Sequence, residues 1–202
     1  METISIHKPK VVVIGSCNTD MVVKANRLPV PGETVLGGTF YMNPGGKGAN
    51  QAIAASRLGA EVTFISKIGY DLFGLQALEI YKSEKINTEF IFTDQKSPSG
   101  VALISVDSFG ENSIIVAPGA SRSLSIEDIN KAEEKIKEAD IILMQLEVPI
   151  ETAEFAATIA NKYNKKVILN PAPASTLIHF LETYTPYFLT ELKPKCCPEL
   201  KS

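Results

Sequence analysis

Short apolar runs that alternate with helix-forming segments constrain the fold of this chain more than any other feature of its sequence. The apolar runs lie at residues 11–15, 61–66, 140–147 and 166–170. Runs of this length are typical of strands that are buried on both faces of a parallel sheet. Segments with a helical pattern lie at residues 47–58, 72–85 and 151–163. The alternation predicts a doubly wound, Rossmann-like α/β fold in which helices cover both faces of the sheet.

Two further pairs of strands are expected outside this main sheet. They lie at residues 21–24, 33–41, 99–106 and 112–117. Proline and glycine separate the first pair, and turn residues at 107–111 separate the second, as in a hairpin. These strands predict a second, smaller sheet from about 18–42 and 99–117. We interpret residues 1–202 as one domain that carries this small sheet.

Polar residues predict where two of the helices begin. Asp71 stands directly before Leu72, where it can act as the N-cap of a helix. Ser125 and Asp128 have the spacing of a capping box, and the helix that follows is expected to run to about Glu138.

Composition excludes several classes of function. The net charge of −3 gives no basic surface for nucleic acid or for an acidic membrane. No apolar stretch approaches membrane-spanning length, and the N-terminus lacks the apolar run of a signal peptide. The three cysteines form neither a disulfide framework nor a zinc-binding spacing. We therefore expect a protein of the cytoplasm, or of the nucleus, that contacts neither nucleic acid nor membrane.

Residues 44–59 form a glycine loop that leads directly into a helix. Gly45 and Gly46 can adopt positive φ and leave no side chain in the way of a ligand. The first N–H groups of the helix are expected to be unpaired and partly positive, and Lys47 and Asn50 add a charge and an amide. Such a corner suits an anionic or polyhydroxylated small molecule. Taken alone, however, the loop favours the interpretation of an ordinary turn.

Polar residues also follow three of the predicted core strands. Asn18 and Asp20 follow the first, Glu147 ends the third, and Asn170 ends the fourth. The spacing of Asn18 and Asp20 places them on one side of an extended chain. The alternative interpretation, that they are turn residues that cap their own backbone, carries equal weight. Glu147 alone fits a solvated strand end, and Asn170 a loop residue before proline. Because the carboxyl ends of parallel strands open on one edge, we expect these residues to converge there around a ligand.

Six segments between Val11 and Ala174 carry a family resemblance. They are Gly-Ser-Cys-Asn-Thr-Asp at 15–20, Pro-Gly-Glu-Thr at 31–34, Gly-Gly-Lys-Gly-Ala-Asn-Gln-Ala at 45–52, Ser-Gly-Val-Ala-Leu-Ile at 99–104, Met-Gln-Leu-Glu at 144–147 and Asn-Pro-Ala-Pro-Ala at 170–174. In this order they resemble the ribokinase branch of the PfkB family of sugar kinases. The segment at 45–52 is similar to that of ribokinases rather than to that of adenosine kinases or phosphosugar kinases.

The resemblance implies a kinase that transfers phosphate from ATP to the 5-hydroxyl of D-ribose and forms D-ribose 5-phosphate. It implies Mg²⁺ and a monovalent cation such as K⁺ as further cofactors. It also implies that the small sheet is a lid over the sugar and that two lids pair in a homodimer. The substrate-binding residues that it implies are Asn18, Asp20, Gly45, Gly46, Lys47, Asn50, Ala102, Ile104 and Glu147.

The resemblance fades after residue 174. Ribokinases continue with an Asn-x-x-Glu motif that helps to organise the phosphates and Mg²⁺, and residues 187–198 do not match it. They then have a Gly-Ala-Gly-Asp loop that supplies an anion hole and the catalytic aspartate, whereas Gly119 is the last glycine of this sequence. The resemblance therefore covers a sugar-binding part without a nucleotide-binding part, and it assigns no catalytic, nucleotide or metal residue here.

Two interpretations of function follow from these departures. The first is a ribokinase of which the 202 residues are a truncated or alternatively ended form. The second is a non-catalytic fragment that binds sugar or dimerises. Coding sequence downstream that contains the two missing motifs would favour the first.

We expect the 202 residues by themselves to release no ADP from ATP in the presence of ribose and Mg²⁺. A phosphate-cradling loop needs close backbone approach, and no glycine after Gly119 can provide it. The measurement is a coupled ADP-release assay on the purified chain, with Asp20→Ala as a control for contaminating host kinase. Ribose-dependent turnover that Asp20→Ala abolishes would contradict the expectation.

Overall fold

Strand β1, Lys10–Ile14, lies in the interior of a six-stranded sheet. The computed structural model of the chain describes residues 8–173 and a two-residue strand at 187–188. The other strands are β2 Asn18–Lys24, β3 Thr39–Gly45, β4 Glu61–Gly69, β5 Ile91–Asp94, β6 Gly100–Val106, β7 Asn112–Ala117, β8 Ile141–Gln145, β9 Lys166–Asn170 and β10 Tyr187–Phe188. The helices are α1 Lys47–Arg57, α2 Leu72–Ser83, α3 Ile126–Lys131, α4 Glu133–Glu138 and α5 Ile150–Lys162, with a 3-10 helix at Gly119–Ser123.

The main sheet has the strand order β10-β9-β8-β1-β4-β5, and its neighbouring strands are parallel. Side chains of β1 alternate between two hydrophobic clusters. Val12 and Ile14 belong to the cluster that contains buried residues of α3, α4 and α5. Val11 and Val13 belong to the cluster that contains buried residues of α1 and α2. The predicted doubly wound α/β fold, with helices on both faces, is confirmed.

Local signals predicted the helix starts correctly. The Asp71 side chain accepts a hydrogen bond from the N–H of Gly74 at 2.9 Å and caps α2. Ser125 and Asp128 form the predicted capping box at the start of α3. The expected single helix to Glu138 is instead two helices that meet at Ala132. Alanine is the best helix former, so the sequence gives no sign of this break.

The small sheet has the order β3-β2-β6-β7, in which β2 and β6 are parallel and the outer pairs are antiparallel. Strand β3 begins at Thr39, later than the predicted start at residue 33, because Gly37 and Gly38 have φ values of +97° and +112° that interrupt an extended strand. Strand β2 begins at Asn18, earlier than predicted. Asn18 and Asp20 therefore belong to the small sheet and not to a turn after β1.

Helix α1 packs so closely on the end of β1 that a methyl group does not fit between them. A Cβ atom on Gly48 would lie 2.7 Å from backbone atoms of Gly15 and Ser16. Backbone atoms cannot move aside as a flexible side chain can, so the close approach depends on glycine at this position.

We expect Gly48→Ala to destabilise the fold by about 1–3 kcal/mol through overpacking, although alanine is the better helix former. The measurement is chemical denaturation of the variant and the parent chain. Arg57→Ala, at an exposed position near the end of the same helix, is the matched control and should change the free energy of unfolding by less than about 1 kcal/mol. A Gly48→Ala variant more stable than the parent would contradict the packing argument.

Candidate functional site

The Glu147 carboxylate joins three parts of the fold at the carboxyl edge of the main sheet. Its Oε1 atom accepts a hydrogen bond from Lys47 Nζ at 2.5 Å, and its Oε2 atom accepts one from the Lys47 backbone N–H at 2.9 Å. The hydroxyl of Ser16, just after β1, donates to the same Oε2 atom at 2.5 Å. Burial raises the pKa of Glu147, but the hydrogen bonds from Lys47 and Ser16 outweigh it and leave the pKa below its ordinary value. Glu147 is therefore an ionised carboxylate with its acceptors largely occupied.

The first turn of α1 uses its N–H groups within the protein. The Lys47 N–H donates to Glu147, and the Ala49 N–H donates to the carbonyl oxygen of Ser16 at 2.9 Å. The expectation of unpaired N–H groups at this corner is therefore wrong for both residues. A carboxylate is favoured there because the helix N-terminus carries partial positive charge. Glu147 itself is the anion that this helix end binds.

The two glycines before α1 make room for site residues. Gly46 has a φ of +91°, and a Cβ atom on it would lie 3.0 Å from the Asn18 nitrogen and the Ser16 oxygen. A Cβ atom on Gly45 would lie 2.0 Å from Asp20 Oδ1. Side chains at these positions would displace either the helix start or the Asp20 carboxylate.

Asn18 and Asp20 alternate along β2 and so point to the same face of the small sheet. Asn18 is 5% exposed, and its Oδ1 atom has no hydrogen-bond partner within the part of the chain that the structure describes. Burial, followed by the charge of Glu147, raises the pKa of Asp20, and Lys47 opposes this effect. The alternative of a turn pair that caps its own backbone is wrong, because both residues lie in a paired strand.

Strand β6 adds apolar side chains to the same face. Ala102 pairs with Asp20 across the strands, and Ile104 pairs with Val22 two residues further along. Ala102 is 4% exposed, whereas Leu103 on the opposite face is 52% exposed. The face that carries Asn18 and Asp20 is therefore the one turned towards the main sheet at this end.

A cavity of about 490 Å³ opens where the small sheet meets the carboxyl edge of the main sheet. Its walls come from the ends of β1 and β8, the start of α1, the small sheet, the 3-10 helix and the loop after β9. The lining residues are Ser16, Asn18, Lys47, Val116, Pro118, Arg122, Leu146, Glu147 and Pro173. A mixed polar and apolar cavity of this size is typical of small-molecule sites.

The sequence matches the family described as pfkB family carbohydrate kinase over residues 8–191, which is most of the chain. The chain belongs to this family. The resemblance that the six sequence segments predicted is thereby confirmed, and the topology described above is also found in the matching half of its solved relatives.

Ribokinases are among the relatives of this pfkB family chain. The ribokinase of Haemophilus influenzae is 46% identical over 165 residues, which cover 82% of this chain and 54% of that protein. The ribokinase of Mus musculus is 39% identical over 189 residues, which cover 94% and 57%. A solved structure of Arabidopsis thaliana ribokinase in complex with ribose and ATP has a TM-score of 0.69 and 32% identity, over 81% of this chain and 54% of that one. The chain spans about half the length of the relatives it matches.

The residues that the family resemblance implied fall into three groups in the structure. Asn18, Lys47 and Glu147 line the cavity. Asp20 and Ala102 lie beside it on the site-facing side of the small sheet. The remaining four are Gly45 and Gly46, which pack against site residues, Asn50, which is exposed in the first turn of α1, and Ile104, which is half-buried further along β6.

Asn170 ends β9 as predicted, but it does not line the cavity. It pairs in register with Gln145, and the side-chain oxygens of both are buried without a partner among the described residues. The Gln145 side-chain amide donates to the Gln51 side chain on α1. The Gln145 amide therefore connects the end of β8 to α1.

Sequence reasoning missed two polar residues of the cavity, Ser16 and Arg122. Ser16 lies in the Gly-Ser-Cys-Asn-Thr-Asp segment, but no role was predicted for it. In the structure its hydroxyl donates a hydrogen bond to Glu147. Arg122 lines the cavity from the 3-10 helix. The available signal for Arg122 was the Pro-Gly turn directly after strand β7, which returns the chain from the small sheet to the main sheet.

The Cys17 thiol, directly after Ser16, is buried. Burial raises the pKa of the Cys17 thiol to about 11, and its sulfur lies 2.9 Å from the Tyr81 hydroxyl. A buried thiol with a raised pKa carries little thiolate and is a poor nucleophile. Among the helices of the described residues, none has the length and apolar character needed to cross a membrane.

Proposed function

We propose that this chain supplies the sugar site of a ribokinase, which phosphorylates the 5-hydroxyl of D-ribose with ATP. The observation that carries the proposal is the convergence of Asn18, Lys47 and Glu147 on one cavity beneath the small sheet. The family match and the ribokinase relatives, one of them solved with ribose and ATP, support the same reaction.

The chemistry of the cavity suits a polyhydroxylated ligand. Sugar hydroxyls donate and accept together, so they bind well to amides and carboxylates. Glu147 already accepts from Ser16 and twice from Lys47, whereas Asp20 has no hydrogen bond from a described residue. We assign Asp20 as the main acceptor of ribose hydroxyls, with Asn18 as donor and acceptor beside it.

The small sheet serves as the lid in this proposal. It covers the cavity with Val116 and places Ala102 and Ile104 on the face that carries Asp20. Exclusion of water by such a cover protects the phosphoryl group from hydrolysis.

ATP is the proposed phosphoryl donor, with Mg²⁺ and a monovalent cation such as K⁺ as further cofactors. Residues 8–173 and 187–188 contain no group of three His, Cys, Asp or Glu side chains placed to hold a metal ion. The proposal therefore assigns no metal ligand to the described residues. We also propose a location in the cytoplasm or the nucleus, where the free thiol of Cys17 fits a reducing environment.

We expect Asp20→Asn to weaken ribose binding strongly while the fold stays intact. A lost hydrogen bond to a charged acceptor costs roughly 1.5–3 kcal/mol, which is about a 10- to 150-fold rise in the dissociation constant. Isothermal titration calorimetry of ribose with the 202-residue chain is the measurement.

Asp140→Asn is the matched control, because Asp140 lies at the opposite, amino-terminal edge of the sheet, where it accepts from the Lys10 N–H. Its ribose affinity should equal that of the parent chain. If Asp20→Asn binds ribose as tightly as the parent, Asp20 is not in the sugar site, and if the parent binds no ribose, the proposed function fails.

We also propose that two copies of the chain pair through the small sheet. An apolar row crosses all four strands on the face opposite Asp20, from Met42 through Met21 and Leu103 to Ile115. Leu103 is 52% and Ile115 70% exposed. A continuous apolar row of this kind is unfavourable in water and is typical of a protein interface.

We expect sedimentation velocity to show a dimer that Leu103→Lys dissociates, because the charge would be buried against the partner copy. Leu36→Lys is the matched control, since Leu36 is 91% exposed outside the sheet. Ile114→Lys, on strand β7, tests the other face of the small sheet. A monomeric parent chain contradicts the proposal, and dissociation by Ile114→Lys but not by Leu103→Lys would assign the interface to the opposite face.

A further inference from the structure

Arg122 places a positive charge at the cavity, and the proposed sugar site does not use this charge. It lines the cavity together with Val116, Pro118 and Pro173. The side chain is exposed, and within the described residues no acceptor forms a hydrogen bond or ion pair with its guanidinium.

The backbone on both sides of Arg122 is held firmly. The Ala120 N–H donates to the Pro98 oxygen at 2.8 Å, and the Ser121 hydroxyl accepts from the Cys17 N–H at 3.2 Å. The Ser123 hydroxyl donates to the Asp94 carboxylate, and Lys67 Nζ donates to the Ser123 carbonyl at 3.1 Å. Ala120 and Ser121 are fully buried. The backbone of Arg122 is therefore held in place beside the cavity, while its side chain has no described partner.

Among the charged residues that line the cavity, Arg122 is the one without a described partner of opposite charge. Lys47 and Glu147 form an ion pair at 2.5 Å and neutralise each other. Arg122 is the third charged residue of the lining, and no described carboxylate pairs with it, although Asp20 lies beside the cavity. Free ribose is neutral and gives no reason for a second cation, whereas a phosphate group does.

We propose that Arg122 binds the phosphoryl group that the sugar receives. This inference rests on the proposed function, since it places a phosphorylated pentose in the same cavity. A guanidinium offers two parallel N–H donors to phosphate oxygens, a geometry that lysine cannot reproduce. Arg122 thereby distinguishes a sugar phosphate from a free sugar, while Asn18 and Asp20 bind the sugar hydroxyls in both.

The test compares three ligands by isothermal titration calorimetry on the 202-residue chain: ribose, ribose 5-phosphate and inorganic phosphate. We expect Arg122→Gln to weaken ribose 5-phosphate binding about 10-fold or more, and to change ribose binding less than about 2-fold. Arg122→Lys should give an intermediate loss, because it keeps the charge but not the paired donors. Arg57→Gln is the matched control, since Arg57 lies near the far end of α1 and pairs with Glu84 on the surface.

The outcomes separate this inference from the proposed function. If the parent chain binds ribose and Arg122→Gln binds ribose 5-phosphate as tightly as the parent, the role of Arg122 is overturned and the sugar site stands. If Arg122→Gln weakens inorganic phosphate as much as ribose 5-phosphate, and the two bind the parent equally, the residue serves a free-phosphate site and the sugar-phosphate assignment is wrong. If the parent binds neither sugar, the proposed function fails and this inference fails with it.

Discussion

The pairing of Glu147 with Lys47 and Ser16 is the interaction on which the site depends. A carboxylate whose side chain is only 15% exposed must be paired, because leaving such a charge unpaired costs several kcal/mol. The three donors come from the end of β1 and the start of α1, and the carboxylate comes from the end of β8. The ion pair therefore fixes the first helix against two neighbouring strands of the main sheet.

Glycine residues let the start of α1 come close enough to Glu147 for this pairing to form. Helix α1 reaches Glu147 only because Gly48 lets its backbone approach Gly15 and Ser16 to a distance that excludes any side chain. Gly46 begins the helix with a φ of +91°, which other residues rarely adopt. The glycines of this loop, which taken alone favour an ordinary turn, thus let α1 pack against the end of β1, and they thereby fix the position of Lys47.

The features that the sequence predicted are those that local chemistry decides. Apolar runs gave the core strands, and Asp71 and Ser125 marked helix starts, because a cap and a run of buried strand residues depend on neighbours in the chain. The alignment of β2 with β3 and β6, which decides where Asn18 and Asp20 point, depends on partners up to 82 residues away. Arg122 also depends on distant partners, since the hydrogen bond from the Cys17 N–H to the Ser121 hydroxyl holds its helix at the cavity across 104 residues, and the Pro-Gly turn before it marks only a change of direction.

The two sheets meet at the cavity, and this explains why it draws on so many segments. The chain passes from the main sheet to the small sheet between Ile14 and Asn18, and returns between Gly45 and Lys47. It leaves again before Gly100 and returns after Ala117 into the 3-10 helix. All four crossings lie at the carboxyl edge of the main sheet, so each strand of the small sheet has one end there.

Hydrogen bonds join these crossings to one another. The Cys17 N–H donates to the Ser121 hydroxyl, which joins the first crossing to the fourth, and the Ala120 N–H donates to the Pro98 oxygen, which joins the fourth to the third. The ion pair between Lys47 and Glu147 joins the second crossing to the main sheet. The groups of the proposed site therefore come from both sheets. Asn18 and Asp20 lie on the small sheet, whereas Lys47, Glu147 and Arg122 lie on segments next to the main sheet. Their relative positions depend on the same few hydrogen bonds that hold the small sheet in place.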